Sequence, residues 1–276
     1  MAMASSYSFP PENELKDLLS RASEAEKRFQ PSSPVNILSL IDLTSLEGKD
    51  NRALVEALCK KAIAYGVAAV CLYPELIAPA REILGDAPIR LASVAGGFPS
   101  GQIPLNLRLK EAEYALTAGA GEIDMVISRG KCLEGDFNAV YDEVFAMKSL
   151  CGTVTLKVIL ETGELESDEN IIKASFLALA GGADFLKTST GKISVGATPR
   201  AVALMAACAQ YHENNSGKKT GIKPSGGISD EKTALHYLGI VEAICGAAHL
   251  NPEYFRFGAS RLADVMAGKE TGSGGY

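Results

Sequence analysis

Eight short runs of β-branched and apolar residues, each followed by a longer segment with helical periodicity, constrain this chain more than any other feature. The runs fall at 37–41 (I-L-S-L-I), 67–72 (V-A-A-V-C-L), 89–95 (I-R-L-A-S-V-A) and 122–127 (E-I-D-M-V-I). Four more follow at 155–161 (T-L-K-V-I-L-E), 183–187 (A-D-F-L-K), 220–223 (T-G-I-K) and 254–257 (Y-F-R-F). Segments such as 107–118 and 167–180, rich in Ala, Leu, Glu and Lys, read as the helices between them. A strand that is apolar nearly throughout is buried on both faces, and parallel neighbours need a crossover. The pattern therefore predicts an α/β chain folded as one (β/α)8 TIM barrel, for which 276 residues suffice. An open, doubly wound sheet is the alternative, but it ordinarily carries a glycine fingerprint early in the chain, and none is present.

Three regions are expected. Residues 1–35 form an N-terminal extension with one extra helix over 12–29, placing Leu15, Leu18, Leu19, Ala22 and Phe29 on one face. The Pro31–Pro34 segment should end that helix, because proline lacks an amide donor. Residues 36–267 make the catalytic barrel, and 268–276, dominated by glycine and small polar residues, make a flexible C-terminal tail.

Several function classes recede on charge and composition. A net charge of -6 and a pI near 5.3 give no footprint for nucleic acid or an anionic membrane. The start M-A-M-A-S-S-Y-S-F-P-P lacks the basic and apolar regions of a secretory signal, and no apolar run approaches a membrane span of about 18 residues. Six scattered cysteines without a C-x-x-C pair read as reduced thiols of a cytoplasmic chain. His212, His236 and His249 read as surface or helix-packing residues without ligand spacing, so no metal and no cofactor is expected. T-S-T-G-K at 188–192 resembles a Walker A ending, but Leu186 stands where its first glycine belongs and Ile193 replaces the final Ser/Thr.

In such a barrel the reactive groups lie at the C-terminal ends of the strands. Those ends give Asp42 after the first run, Cys71 in the second, Asp124 in the fourth, Lys157 and Glu161 in the fifth, Lys187 in the sixth and Lys223 in the seventh. Any one of these reads equally well as a member of a structural ion pair, Lys157 especially, and Cys71 reads as a buried thiol. Three lysines and two aspartates converging on one interior point instead to tuned amine chemistry. A lysine attacks a carbonyl only when neutral, and a second cation with partial desolvation frees it. Lys187 and Lys223, on neighbouring strands, supply that pair, and Asp124 could handle protons as a carbinolamine loses water. Two glycine-rich loops, K-P-S-G-G-I-S (223–229) and F-G-A-S-R (257–261), follow the last two strands, where barrels often hold phosphate; each alone reads also as an ordinary turn.

The stretches E-I-D-M-V-I, L-K-V-I-L-E-T-G-E-L, A-D-F-L-K-T-S-T-G-K, K-P-S-G-G-I and F-R-F-G-A-S, in this order, resemble the deoxyribose-phosphate aldolase family, from I-D-L-T-S-L at 41–46 to Tyr276. The resemblance implies a class I aldolase that reversibly cleaves 2-deoxy-D-ribose 5-phosphate to acetaldehyde and D-glyceraldehyde 3-phosphate. It implies Lys187 as the Schiff-base lysine, Lys223 as the lysine that depresses its pKa, and Asp124 as the proton relay. It also implies that Tyr276, ending the tail, enters the site and helps move a proton at the acetaldehyde methyl carbon. Thr190, Gly191, Lys192, Gly226, Gly227 and Ser260 match positions around the sugar hydroxyl and phosphate, and Asp42 is placed among the substrate-binding residues. Many members carry arginine where this chain has Ser229, and serine where it has Arg261, so the phosphate-facing charge is expected to have moved to Arg261 in the eighth loop. Expected partners are a sugar phosphate and aldehydes, with a homo-oligomer left open. The rival readings are another Schiff-base barrel, such as a transaldolase-like or hexose-phosphate aldolase, and a barrel that has lost catalysis and serves as a binding protein.

Overall fold

The structure, a computed structural model, describes residues 9–269. The strands are β1 (Ile41–Thr44), β2 (Ala69–Leu72), β3 (Arg90–Ala95), β4 (Glu122–Val126), β5 (Thr155–Ile159), β6 (Phe185–Lys187), β7 (Gly221–Lys223) and β8 (Phe257–Ala259). The helices are α1 (Glu12–Ala25), α2 (Arg52–Tyr65), α3 (Ile77–Leu84), α4 (Leu105–Thr117), α5 (Arg129–Leu133) and α6 (Phe137–Cys151), then α7 (Asp168–Ala180), α8 (Pro199–Ser216), α9 (Glu231–Cys245) and α10 (Arg261–Met266). Neighbouring strands pair in parallel in the order β7-β6-β5-β4-β3-β2-β1-β8. Parallel bridges Ile222–Phe255 and Ser225–Gly258 join β7 to the β8 segment and close the barrel.

Alternation along each strand separates two environments. Leu43, Val70, Leu72, Ile123, Leu156, Val158, Leu186 and Ile222 point outward into the large core beneath the helices. Each such side chain, fully buried, contributes roughly 1.5–3 kcal/mol. The inward set is different. Cys71, Ala92 and Val94 form a small apolar group with Leu46 on one side of the interior. Asp42, Glu122, Asp124, Lys157, Lys187, Lys223 and Arg256 are also buried. Side-chain caps start the larger helices: Asn51 Oδ1 accepts from the amides of Ala53 and Leu54, and Ser167, Thr198 and Asp230 do the same for α7, α8 and α9.

Three boundaries differ from the sequence expectation. The first strand begins at Ile41, because Leu38–Leu40 form a 3-10 turn, so Asp42 lies inside β1 and not after it. The last strand is F-G-A and not Y-F-R-F: Gly258, read as a loop glycine, occupies a strand position. A side chain there would collide, since an added Cβ would lie 2.6 Å from Ser225 Cβ and 3.3 Å from Lys223 Cε. The extra helix ends at Ala25, well before the prolines, because the charged stretch E-K-R offers no further apolar position. Phe29 is 66% exposed, its ring 4.7 Å from that of His236, while Leu18 and Ala22 pack into the core. Tyr276 and the tail from residue 270 lie outside the described residues.

Gly221 is needed for space. A Cβ on it would sit 2.3 Å from the ring of Phe185 across the β6–β7 pair. Gly221→Ala is expected to lower stability by about 1–3 kcal/mol through overpacking, a fall of about 2–10 °C in Tm. Thermal unfolding checks this, and an unchanged Tm would mean that the ring can retreat.

Candidate active site

Four strands deliver the central groups. Asp124 on β4 lies opposite Lys157 on β5, and Lys187 ends β6 beside Lys223, which ends β7. One oxygen of Asp124, Oδ2, accepts from Lys187 Nζ and from Lys223 Nζ, each at 2.7 Å. The other, Oδ1, accepts from Lys157 Nζ at 2.8 Å. Lys223 Nζ also donates to Asp42 Oδ2 at 2.5 Å, and Lys157 Nζ reaches Glu122 Oε2 at 2.5 Å. Below them Arg256 donates to Asp42 Oδ1 at 2.6 Å and to Glu122 Oε1 at 3.0 Å. Cys71 Sγ lies 4.0 Å from Asp124 Oδ2, a weak contact.

Burial and charge act against each other here, with different outcomes. Burial lowers the Lys187 pKa, Asp124 opposes this, Lys223 adds to it, and the net result lies below the ordinary lysine value. Burial also works on Lys223, but Asp124 and Asp42 outweigh it and leave that amine above the ordinary value. Lys157 goes the same way, because Asp124, Glu122 and Asp42 outweigh its burial. Asp124 is desolvated, yet Lys157, Lys187 and Lys223 hold its carboxyl well below the usual range. Burial raises the Cys71 thiol. The arrangement thus sets an amine with a lowered pKa beside one with a raised pKa, with a single carboxylate shared between them.

The mouth is built from the segments after β6, β7 and β8. Ser225 ties the first two together, its amide donating to Thr188 Oγ1 at 2.9 Å and its hydroxyl to the Ser189 carbonyl at 2.5 Å. Farther out the two backbones touch: a Cβ on Gly196 would meet the Gly226 carbonyl oxygen at 2.2 Å. Gly226 and Gly227 both have positive φ, 85° and 78°, as Gly191 does at 77°. Thr190 is buried and engaged by Glu161, whose carboxylate accepts from both its amide and its hydroxyl. Glu161, expected within strand five, lies beyond its end in a left-handed conformation at φ 55°, and its side chain serves this loop and not the lysine cluster. Lys192 reaches across the mouth to Glu47 at 2.8 Å. Ser260 and Arg261, at the start of α10, are exposed.

The structure therefore gathers Asp42, Asp124, Lys157, Lys187 and Lys223 into one buried cluster, with Thr190, Gly191, Lys192, Gly226, Gly227, Ser260 and Arg261 on the segments that follow the strands. Glu122 and Arg256 escaped the sequence reading. Their signal was spacing: Glu122 is two residues from Asp124, and Arg256 two from Gly258, hence on the same inward face. The histidines stand apart, and His249, expected at a surface or against a helix, is buried with Nε2 2.9 Å from the Thr220 carbonyl. A cavity of about 550 Å³ lies elsewhere, lined by residues such as Gln102, Arg108, Arg129, Lys131 and Glu134.

A (β/α)8 barrel with a buried cluster of amines and carboxylates inside it, two of the lysines at the C-terminal ends of their strands, has the form of a barrel enzyme. The chain belongs to the DeoC/LacD family of aldolases, whose family model matches residues 36–260. It is 40% identical over 257 residues to the deoxyribose-phosphate aldolase of Homo sapiens, covering 86% of this chain and 80% of that protein. It is 42% identical over 241 residues to the deoxyribose-phosphate aldolase of Agrobacterium fabrum, covering 84% and 91%. Among solved structures, the tetrameric deoxyribose phosphate aldolase of Aeropyrum pernix superposes with a TM-score of 0.70 at 30% identity, covering 94% of this chain and 97% of that one.

Proposed function

We propose that this chain is a class I deoxyribose-phosphate aldolase, reversibly converting 2-deoxy-D-ribose 5-phosphate to acetaldehyde and D-glyceraldehyde 3-phosphate through a Schiff base on Lys187. The observation that carries the mechanism is the single Asp124 oxygen 2.7 Å from both Lys187 Nζ and Lys223 Nζ. The neutral Lys187 amine attacks the C1 aldehyde of the open-chain sugar. Asp124 takes up the proton that nitrogen then sheds and passes it to the new alkoxide. Lys223 donates a second proton to the resulting hydroxyl, which leaves as water as the carbinolamine becomes a protonated imine. The protonated imine draws in the electrons of the C2–C3 bond as it breaks, the C3 hydroxyl gives its proton to the Lys223 amine left neutral by the preceding step, and glyceraldehyde 3-phosphate leaves. Protonation of the enamine at C2 and hydrolysis release acetaldehyde and restore the amine.

The backbone amides around Gly226 and Gly227, with Ser260, Lys192 and Arg261, would hold the phosphate, and Thr190 and Gly191 shape the wall beside it. Asp42 acts through its 2.5 Å contact with Lys223, so its role in this reading shifts from substrate contact to holding that amine. Tyr276 would assist proton movement at C2 from the tail. Six free cysteines fit a cytoplasmic chain, and the tetrameric relative fits a homo-oligomer. Among the described residues, no helix is long and apolar enough to cross a membrane.

The test is incubation with deoxyribose 5-phosphate while acetaldehyde is followed, with and without a chelator, together with borohydride trapping and peptide mapping. Acetaldehyde release that is insensitive to chelator, with the adduct on Lys187, is expected. Absence of product would remove the activity, and an adduct on another lysine would remove the mechanism.

A further inference from the structure

We propose that Arg256, at the closed end of the barrel and away from any substrate, is a positioning residue that sets the protonation of Lys187 by fixing the net charge of the sealed interior. This rests on the reading of Lys187 as the imine-forming amine.

Among the described residues, the buried interior holds four cationic groups, Lys157, Lys187, Lys223 and Arg256, against three carboxylates, Asp42, Glu122 and Asp124. Full ionisation would leave one uncompensated positive charge in a volume closed to water. An isolated buried charge costs several kcal/mol, and a titratable group escapes that cost by neutralising. Arg256 cannot do so, since a guanidinium does not deprotonate in proteins. Lys157 touches three carboxylates, Glu122 at 2.5 Å, Asp124 at 2.8 Å and Asp42 at 3.5 Å. Lys223 touches two, Asp42 at 2.5 Å and Asp124 at 2.7 Å. Among the described residues, Lys187 touches one carboxylate, Asp124, on the oxygen that it shares with Lys223. The surplus proton is therefore least well held on Lys187.

Arg256 creates that surplus. It is 1% exposed, lies 5.9 Å from the centre of the Phe185 ring, and occupies the remaining oxygens of Asp42 and Glu122. Without its charge, three carboxylates would match three lysines and Lys187 would keep its proton. Among the described residues, the inward faces of the strands add no further charge toward Lys187 itself. Toward Lys187, β1 offers Asp42, β2 Cys71, β4 Asp124, β5 Lys157 and β7 Lys223, while β3 offers the apolar Ala92 and Val94 and β8 has only Gly258. Above the cluster Glu161 is engaged by Thr190, and at the lower rim the partly exposed Arg90 lies 3.7 Å from Glu122 and is paired with Glu253.

The experiment compares the full chain with Arg256→Met, Glu122→Gln, the double variant and Arg256→Lys. Lys187 is titrated directly by NMR of ¹³C-lysine-labelled protein, and the pH dependence of borohydride trapping with acetaldehyde is measured alongside. Arg256→Met removes a cation and should raise the Lys187 pKa by about one unit or more, and Glu122→Gln removes an anion and should lower it by a similar amount. The double variant, which removes one of each, and Arg256→Lys, which keeps the charge, should both return close to the parent value. A purely structural role for Arg256 gives no such opposite signs. Equal Lys187 pKa values in parent and single variants, or shifts in the same direction, overturn the proposal. Should Arg256→Met fail to fold, Glu122→Gln against the double variant gives the same sign test. If the parent traps no imine, the functional reading falls, while the NMR titration still decides the charge proposal.

Discussion

The Lys187→Met chain is expected to form no borohydride-trapped imine and to lose at least about 10⁴-fold in kcat/KM, because the covalent step has no substitute nucleophile. Methionine matches lysine in length and carries no charge. The exchange removes one hydrogen bond to Asp124 and takes out the amine whose pKa burial and Lys223 lower, the least well-held cation of the cluster. The fold should therefore survive, and unfolding by denaturant should show a midpoint at or above that of the parent. Lys187→Arg is the contrasting case. It places a permanent cation where the interior already carries its full complement, so it should lose activity and stability together. Trapping retained above about 1% in Lys187→Met would point to Lys223, the other amine on the same oxygen, as the nucleophile.

Asp124→Asn should lower kcat by about 10²–10⁴-fold, the usual contribution of a positioned acid–base group. It should also cost about 3–5 kcal/mol of stability, because three lysines lose a shared partner inside the barrel. The pH dependence separates these effects. Asp124 is the neighbour that raises the Lys187 pKa, so its loss should move the acid limb of imine trapping to lower pH. An ammonium does not attack, and a lower pKa leaves more free amine below neutrality. Turnover would thus fall while the amine becomes available at lower pH. Rising or unchanged pH for that limb, measured by trapping rate, would show that Asp124 does not hold the Lys187 proton.

The barrel was legible because its outward strand residues are so uniformly apolar: I-D-M-V-I and T-L-K-V-I announce burial on both sides, and the lysines and aspartates within them announce something else. Lys187 and Lys223 could be placed side by side from strand order alone. Their electrostatic setting could not, because it depends on Arg256, within the run Y-F-R-F, and on Glu122, the first residue of E-I-D-M-V-I, neither of which lies at a strand's C-terminal end. Gly258 misled for the opposite reason. Glycine in a run usually marks a turn, and only the approach of Ser225 and Lys223 shows why a strand needs it here. Glu161 was close in sequence to Lys157 but turns away at φ 55°, a change of direction that alternation does not foretell.

The contact between Gly196 and Gly226 bears on how members of such a family can exchange parts. Two loops whose main chains meet without any side chain between them cannot be altered separately, since a change in the path of one displaces the other. A chimera that takes residues 188–198 from a relative but keeps its own 223–230 would inherit mismatched halves of one wall, however similar the two parents are in sequence. Substrate preference written in those loops therefore travels as a block of two separated segments, and recombination breakpoints that respect both should yield far more working hybrids than breakpoints set between them.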